Sequence, residues 1–263
     1  MTLGCMVWEL PGMDVLDHID WIARQGFGAL DLHVSGSLPG IAVDPDTVDD
    51  AFITKLCGRL EPFSPVGVHA AFGLDFATTE QTVRGDSLAY LQRTLELAQA
   101  IGAQTVTIHK GSANAPGRRF AQRAAFTDSL TRIAAMAQAY GVTVCAEIED
   151  DYDIVLALDS AWVRICTDLG HICFNGNAGF AAYGSIAGLI RYLGVYLGHV
   201  HVHDWDGQQD HLPVGEGRHP WGEIISALKQ IHYRGALMLE INPARHGAEG
   251  ILSSKLAMDA LMA

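Results

Sequence analysis

Positive charge is scarce in this chain: 17 lysines and arginines stand against 30 aspartates and glutamates, a formal net charge of −13 over 263 residues. A protein built to grip a phosphate backbone needs clustered cations, so this balance argues against a nucleic-acid carrier. Lys110, Arg118 and Arg119 form the one basic grouping, and a solvated loop accounts for them. No run of about 20 apolar residues occurs, which excludes a membrane-spanning helix. The opening MTLGCMVWELPG has neither a basic region nor a long apolar stretch, so no secretory signal is expected. Five cysteines include no CxxC pair, and Cys5, Cys145 and Cys166 sit in apolar runs where a reduced thiol behaves as a small hydrophobe. A cytoplasmic protein without disulfides is expected. Pro/Ser-rich linkers, low-complexity tracts and short repeats are also absent, so residues 1–263 read as one domain.

What is present is alternation. Apolar runs of strand length fall at 3–8, 29–33, 66–70, 105–109, 143–147, 163–168, 199–203 and 236–241. Segments of helical period separate them near 14–25, 47–60, 87–101, 120–140, 185–193, 221–231 and 250–261, with a weaker one at 152–160. Asp86 reads as an N-cap, and Gly26, Gly102, Gly141 and Gly235 as stops before the next strand. Strands separated by helices are parallel with right-handed crossovers. At this length the closed solution is a (β/α)8 TIM barrel. A doubly wound sheet would want a glycine-rich loop after the first strand, and VWELPGMD is not one.

Barrel chemistry sits at the C-terminal ends of the strands. Those ends read Trp8, His33, His69, His109, Glu147, Asp168, the 199–203 histidines and Glu240. One such residue is ordinary. Six or seven in phase point to a metal site. Glu147, Asp168 and Glu240 with His201 make a mixed oxygen and nitrogen set suited to one Mn²⁺, Co²⁺, Mg²⁺ or Zn²⁺. His69 and His109 close the opposite side, to hold substrate or further metal. His199 and His203 share the face of His201 a layer away, where contact with the ligands or the substrate fits them. Cys145 and Cys166 each precede a carboxylate by two and should lie one layer deeper. Trp8, Phe72 and Trp205 either wall a substrate site or pack the rim. Lys110 is read as solvent-exposed, with a phosphate or carboxylate as its alternative partner.

In the order VHAAFGLDFA (68–77), TVTIHKG (105–111), CAEIED (145–150), CTDLGH (166–171), GHVHVHD (198–204), HLPVGEG (211–217) and MLEI (238–241), the chain resembles the xylose-isomerase-like barrel superfamily. That superfamily holds sugar and sugar-phosphate isomerases and epimerases, inosose dehydratases and endonuclease IV. The resemblance implies that Glu147, Asp168, His201 and Glu240 bind one divalent metal. It implies that His171 contacts substrate hydroxyls and that Glu147 and Glu240 are an acid/base pair. Two carboxylates on strands three apart can address opposite faces of a planar enediolate. Proton return at the same carbon gives epimerisation, at its neighbour isomerisation, and loss of a β-hydroxyl gives dehydration. Glu216 in the GEG loop is then expected to orient ligand groups, and His211 to bind substrate or a further metal. The expected partner is a small carbohydrate, with no nucleic acid or membrane, and the family's dimers and tetramers are the expected assemblies. Two departures stand out. The ketose 3-epimerases carry an arginine soon after the metal histidine, where this chain reads DWDGQQD, and the endonuclease branch has a ligand aspartate where this chain has Gln209. A silent sugar-binding barrel is the remaining reading.

Overall fold

The computed structural model describes residues 1–8, 10–35, 42–111 and 117–263. Eight strands, β1 (Thr2–Val7), β2 (Ala29–His33), β3 (Val66–His69), β4 (Thr105–His109), β5 (Thr143–Glu147), β6 (Val163–Asp168), β7 (Leu197–Val202) and β8 (Ala236–Leu239), close into one barrel in chain order. Every neighbouring pair is parallel, β1 with β8 included. The helices are α1 (Val15–Arg24), α2 (Asp50–Leu60), α3 (Gln81–Ala100), α4 (Arg119–Tyr140), α5 (Tyr152–Leu158), the short α6 (Phe174–Asn177), α7 (Ile186–Leu193), α8 (Trp221–Gln230) and α9 (Pro243–Met262). Among the described residues no helix is long and apolar enough to cross a membrane.

Local chemistry sets the helix starts. The Asp14 carboxylate accepts from the Asp17 amide, Asp49 from Phe52, and the Ser185 hydroxyl from Gly188, each occupying a donor the first turn leaves open. Two starts differ from the periodicity. Helix α3 begins at Gln81 after Glu80, which makes no side-chain cap, so Asp86 lies inside the helix. Its first turns, QTVRGD, are polar and exposed and carry no apolar rhythm. Helix α9 begins at Pro243, capped by Asn242 at the Ala244 and Arg245 amides, and breaks at Gly247, whose φ is +59°. Gly26, Gly102 and Gly141 take the left-handed φ that ends their helices, whereas ahead of Gly235 that role falls to His232.

The main core lies between sheet and helices, with Ile19, Leu30, Leu91, Phe126 and Ile133 among its fully buried members. Met6, Ala29, Ala236 and Met238 form a small separate apolar plug. Farther along the strands buried polar groups replace it: Asp31, Thr107, Cys145, Cys166 and His199. Both cysteines are free and buried, as a deeper layer requires. Asp31 and His199, on β2 and β7, meet at 2.7 Å. Gly67, the register partner of Asp31 on β3, has no side chain because a Cβ there would overlap the Asp31 carboxylate.

Candidate metal centre

Parallel register carries matching residues to one level. It sets His33 beside His69, His109 beside Glu147, and Asp168 beside His201. Glu240 follows the last residue of β8, and Trp8 the last of β1. Strand β7 ends at Val202, so His203 lies just past it, next to the bridge between Asp204 and Leu212.

The four expected ligands converge. His201 Nδ1 lies 2.9 Å from Glu240 Oε2, 3.3 Å from Glu147 Oε2 and 3.9 Å from Asp168 Oδ2. None of the four residues is more than 4% exposed. Neither ring nitrogen of His201 has a hydrogen-bond partner, and neither does Glu240 Oε2. Orphaned buried polar atoms are costly, and here they belong to the Glu240 carboxylate and the His201 imidazole, which face Glu147 and Asp168. That donor set and its missing hydrogen bonds fit a divalent cation. The Cys166 thiol is also in reach of Glu147 and His201, on the deeper side.

Two hubs organise the surroundings. Four rings reach Glu147: His69, His109 and His201 each at 3.3 Å, and His171 at 3.2 Å. Asp168 Oδ1 accepts from the Gly170 and His171 amides at 2.9 and 2.7 Å, His203 Nε2 lies 2.8 Å from Oδ1 and 3.0 Å from Oδ2, and Oδ2 also faces His201. Burial alone would raise the Glu147 carboxyl, but the charges of His109 and His201 outweigh it and hold Glu147 well below the usual range. In His201 burial disfavours the charged ring, yet Cys166, Glu240 and Glu147 prevail and its pKa is raised. His171 follows the same logic: Asp168 and Asp210 overcome burial and push it up to about 12.

His69, His109 and His171, expected to meet substrate, all contact Glu147. His69 and His109 with Glu147 form one compact ligand group, and Asp168, His171, His203 and His211 form another. His211 has φ +54° and lies against the His203 ring at 4.2 Å, with Trp8 edge-on to it at 5.1 Å. His199 is tied to Asp31 below the ligands and away from the mouth. The structure does not bring Trp205 or Glu216 to the centre. Trp205 packs against the apolar core, and Glu216 is exposed on its loop and makes no bond to the ligands. Asp204 orders that loop instead, accepting from the Trp205, Gly215 and His219 amides and the Trp221 indole.

Two groups escaped the sequence reading, and His33, named there as a strand end, was given no partner. The Asp210 carboxylate stands 3.2 Å from His211 Nδ1 and 3.5 Å from His171 Nε2, so the residue after Gln209 supplies the carboxylate that Gln209 lacks. Buried His33 stacks on His69, and burial first, then His69, pull its pKa down to about 3. Glu149 lines a cavity of about 720 Å³ that opens over Glu147, His109 and His171. Lys110, expected in solvent, is buried and ion-paired to Asp150 at 2.6 Å and Asp151 at 2.8 Å. The buried Asp151 also pairs with Arg119 and Arg123, so Lys110 and Arg119 of the basic grouping belong to one ion-pair network.

An eight-stranded parallel barrel with a buried histidine and carboxylate centre at its strand ends defines the class. The model of the family described as "Xylose isomerase-like TIM barrel" matches residues 19–259, and the chain belongs to that family. It is 26% identical over 189 residues to an uncharacterized protein of Methanocaldococcus jannaschii, covering 66% of this chain and 63% of that one. It is 31% identical over 125 residues to the D-psicose 3-epimerase of Ruminiclostridium cellulolyticum, covering 43% of this chain and 39% of that one. The chain thus spans less than two thirds of the length of these curated relatives. A solved D-tagatose 3-epimerase-like protein superposes with a TM-score of 0.80 at 22% identity, covering 100% of this chain and 97% of its own. An L-ribulose 3-epimerase gives 0.77 at 18% identity, covering 99% and 94%. These two likenesses show the fold.

Proposed function

We propose that the chain is a divalent-metal-dependent isomerase or epimerase of a sugar, sugar phosphate or cyclitol that works by proton transfer. The observation that carries the reading is the convergence of buried Glu147 and Glu240, from strands three apart, on His201 Nδ1 at 3.3 and 2.9 Å. Glu147, Asp168, His201 and Glu240 would hold the cation. A bound divalent ion supplies Lewis acidity that stabilises an enediolate. The chain's own residues do the rest. One of Glu147 and Glu240 removes the carbon-bound proton and the other returns it from the opposite side. His69, His109, His171 and His211 bind substrate hydroxyls, and Trp8 walls the mouth. His203 holds Asp168, and His199 lies beneath His201. The 3-epimerase names of the relatives support a ketose as substrate.

The test is a panel of ketoses, inososes and sugar phosphates incubated in D₂O with Mn²⁺. Deuterium uptake at carbon, abolished by Glu147→Gln or Glu240→Gln in folded protein, is the expected result. Loss of water would move the assignment to a dehydratase on the same residues. Sugar binding without exchange would make it a silent barrel. Full turnover in strong chelator, with no metal retained, would overturn the proposal.

A second reading has its own observation. The His69–His109–Glu147 and Asp168–His171–His203–His211 groups could hold further cations beside the first, as a multinuclear abasic-site nuclease requires. The net charge of −13 weighs against DNA. An abasic-site incision assay separates the two.

A further inference from the structure

The cavity over Glu147 is bounded, away from the ligands, by the loops after β3, β4 and β5. Those loops contribute Asp75, Lys110, Glu149 and Asp150. Lys110 is the one lysine or arginine among the described residues of this wall, and Asp150 and Asp151 already engage it at 2.6 and 2.8 Å. Asp75 accepts from the Ala77 and Thr78 amides. Glu149 differs from both of these carboxylates. Among the described residues it makes no hydrogen bond and no ion pair. The wall therefore carries more negative than positive charge and offers one acceptor group that the fold does not use.

We infer that Glu149 is the outer specificity residue of the site, binding the hydroxyls of an uncharged sugar and rejecting its phosphate ester. This rests on the sugar-transforming reading of the centre. A carboxylate accepts well from sugar hydroxyls and repels a phosphate dianion, so one group supplies both the attraction and the exclusion.

The experiment compares 2-ketohexoses with their 6-phosphates, one matched pair at a time, by saturation-transfer NMR on the Mg²⁺-loaded protein. Wild type is expected to bind the free sugar about tenfold or more tightly than its phosphate, the consequence of like charges at close range. Glu149→Gln should narrow that ratio about fivefold by removing the repulsion, and Glu149→Lys should invert it. Melting temperature and Mg²⁺ affinity serve as fold controls and should stay at wild-type values. A wild type that binds both members equally, or that binds neither, overturns the inference, as does a ratio that both substitutions leave alone. Selective binding of the free sugar with no exchange of carbon-bound hydrogen would instead overturn the proposed reaction and leave the role of Glu149 standing.

Discussion

Asp31 of β2 and His199 of β7 face each other inside the barrel at 2.7 Å, beneath His201. Asp31, His199 and His201 form a compact group, but a 2.7 Å contact is a hydrogen bond and leaves no room for an ion between the two partners. Removing one partner of a buried hydrogen bond strands the other. Asp31→Ala should cost about 1–3 kcal/mol by urea denaturation, and a cost under about 0.5 kcal/mol would mean the pair contributes little.

Gly67 supplies a coupled test. A methyl group there would overlap the Asp31 carboxylate and come within 2.8 Å of Thr105 Oγ1. Gly67→Ala should destabilise by about 2 kcal/mol or more. In an Asp31→Ala background the added methyl has space, so the double variant should be more stable than the sum of the singles. Strict additivity in a double-mutant cycle would refute the steric account.

Cation binding should appear as stability. A ligand at a free concentration one hundred times its Kd stabilises the folded state by about 2.7 kcal/mol. The melting temperature of wild type should therefore rise with Mn²⁺ and fall again with chelator. His201→Gln and Glu240→Gln should flatten the response, because each removes a donor from the converging set. A melting temperature indifferent to every divalent ion tried would count against the metal centre.

His18 links stability to pH away from the site. It is 1% exposed, its Nε2 has no partner, and burial lowers its pKa from 6.5 to about 4. The unfolded chain takes up the proton first, so stability is full above pH 6.5 and is lost as pH falls towards 4. The loss attributable to this ring is about 3 kcal/mol. His18→Gln should lose correspondingly less between those two pH values when unfolding is followed by circular dichroism. Parallel curves for the two proteins would sink the idea.

Asp204 is the keystone of the loop that carries His211. Four donors converge on it, at 2.9 to 3.1 Å. Asp204→Ala should cost about 2–4 kcal/mol and raise hydrogen exchange at the Gly215 and His219 amides. Unchanged protection there would show the loop to be held by other contacts.

The barrel was legible because its strands are short, mostly apolar runs and its helices follow them at regular intervals. The buried cluster was legible because a strand's period of two puts Glu147, Asp168 and His201 at predictable ends. What stayed hidden depends on distance or on backbone geometry. Asp31 reads as a polar interruption in ALDLH until its partner, 168 residues away, is known. Asp210 reads as one place out of register, and only the left-handed turn at His211 swings it between two rings. Glu149 sits two residues past its strand, where a carboxylate looks like ordinary loop polarity. Glu216 misled for the opposite reason: GEG resembles a site loop, and Asp204 turned out to hold it.

The crowding around Glu147 has a consequence for any titration of the protein. One carboxylate cannot be the separate partner of four imidazoles, each within 3.3 Å. A proton taken up by His109 alters the field at His69, His171 and His201, and a cation seated beside Glu147 alters all of them together. The charge states of His109, His171 and His201 therefore depend on Glu147 and on one another. Occupancy of the centre should be readable as proton release to solvent, with a stoichiometry that belongs to the cluster as a whole.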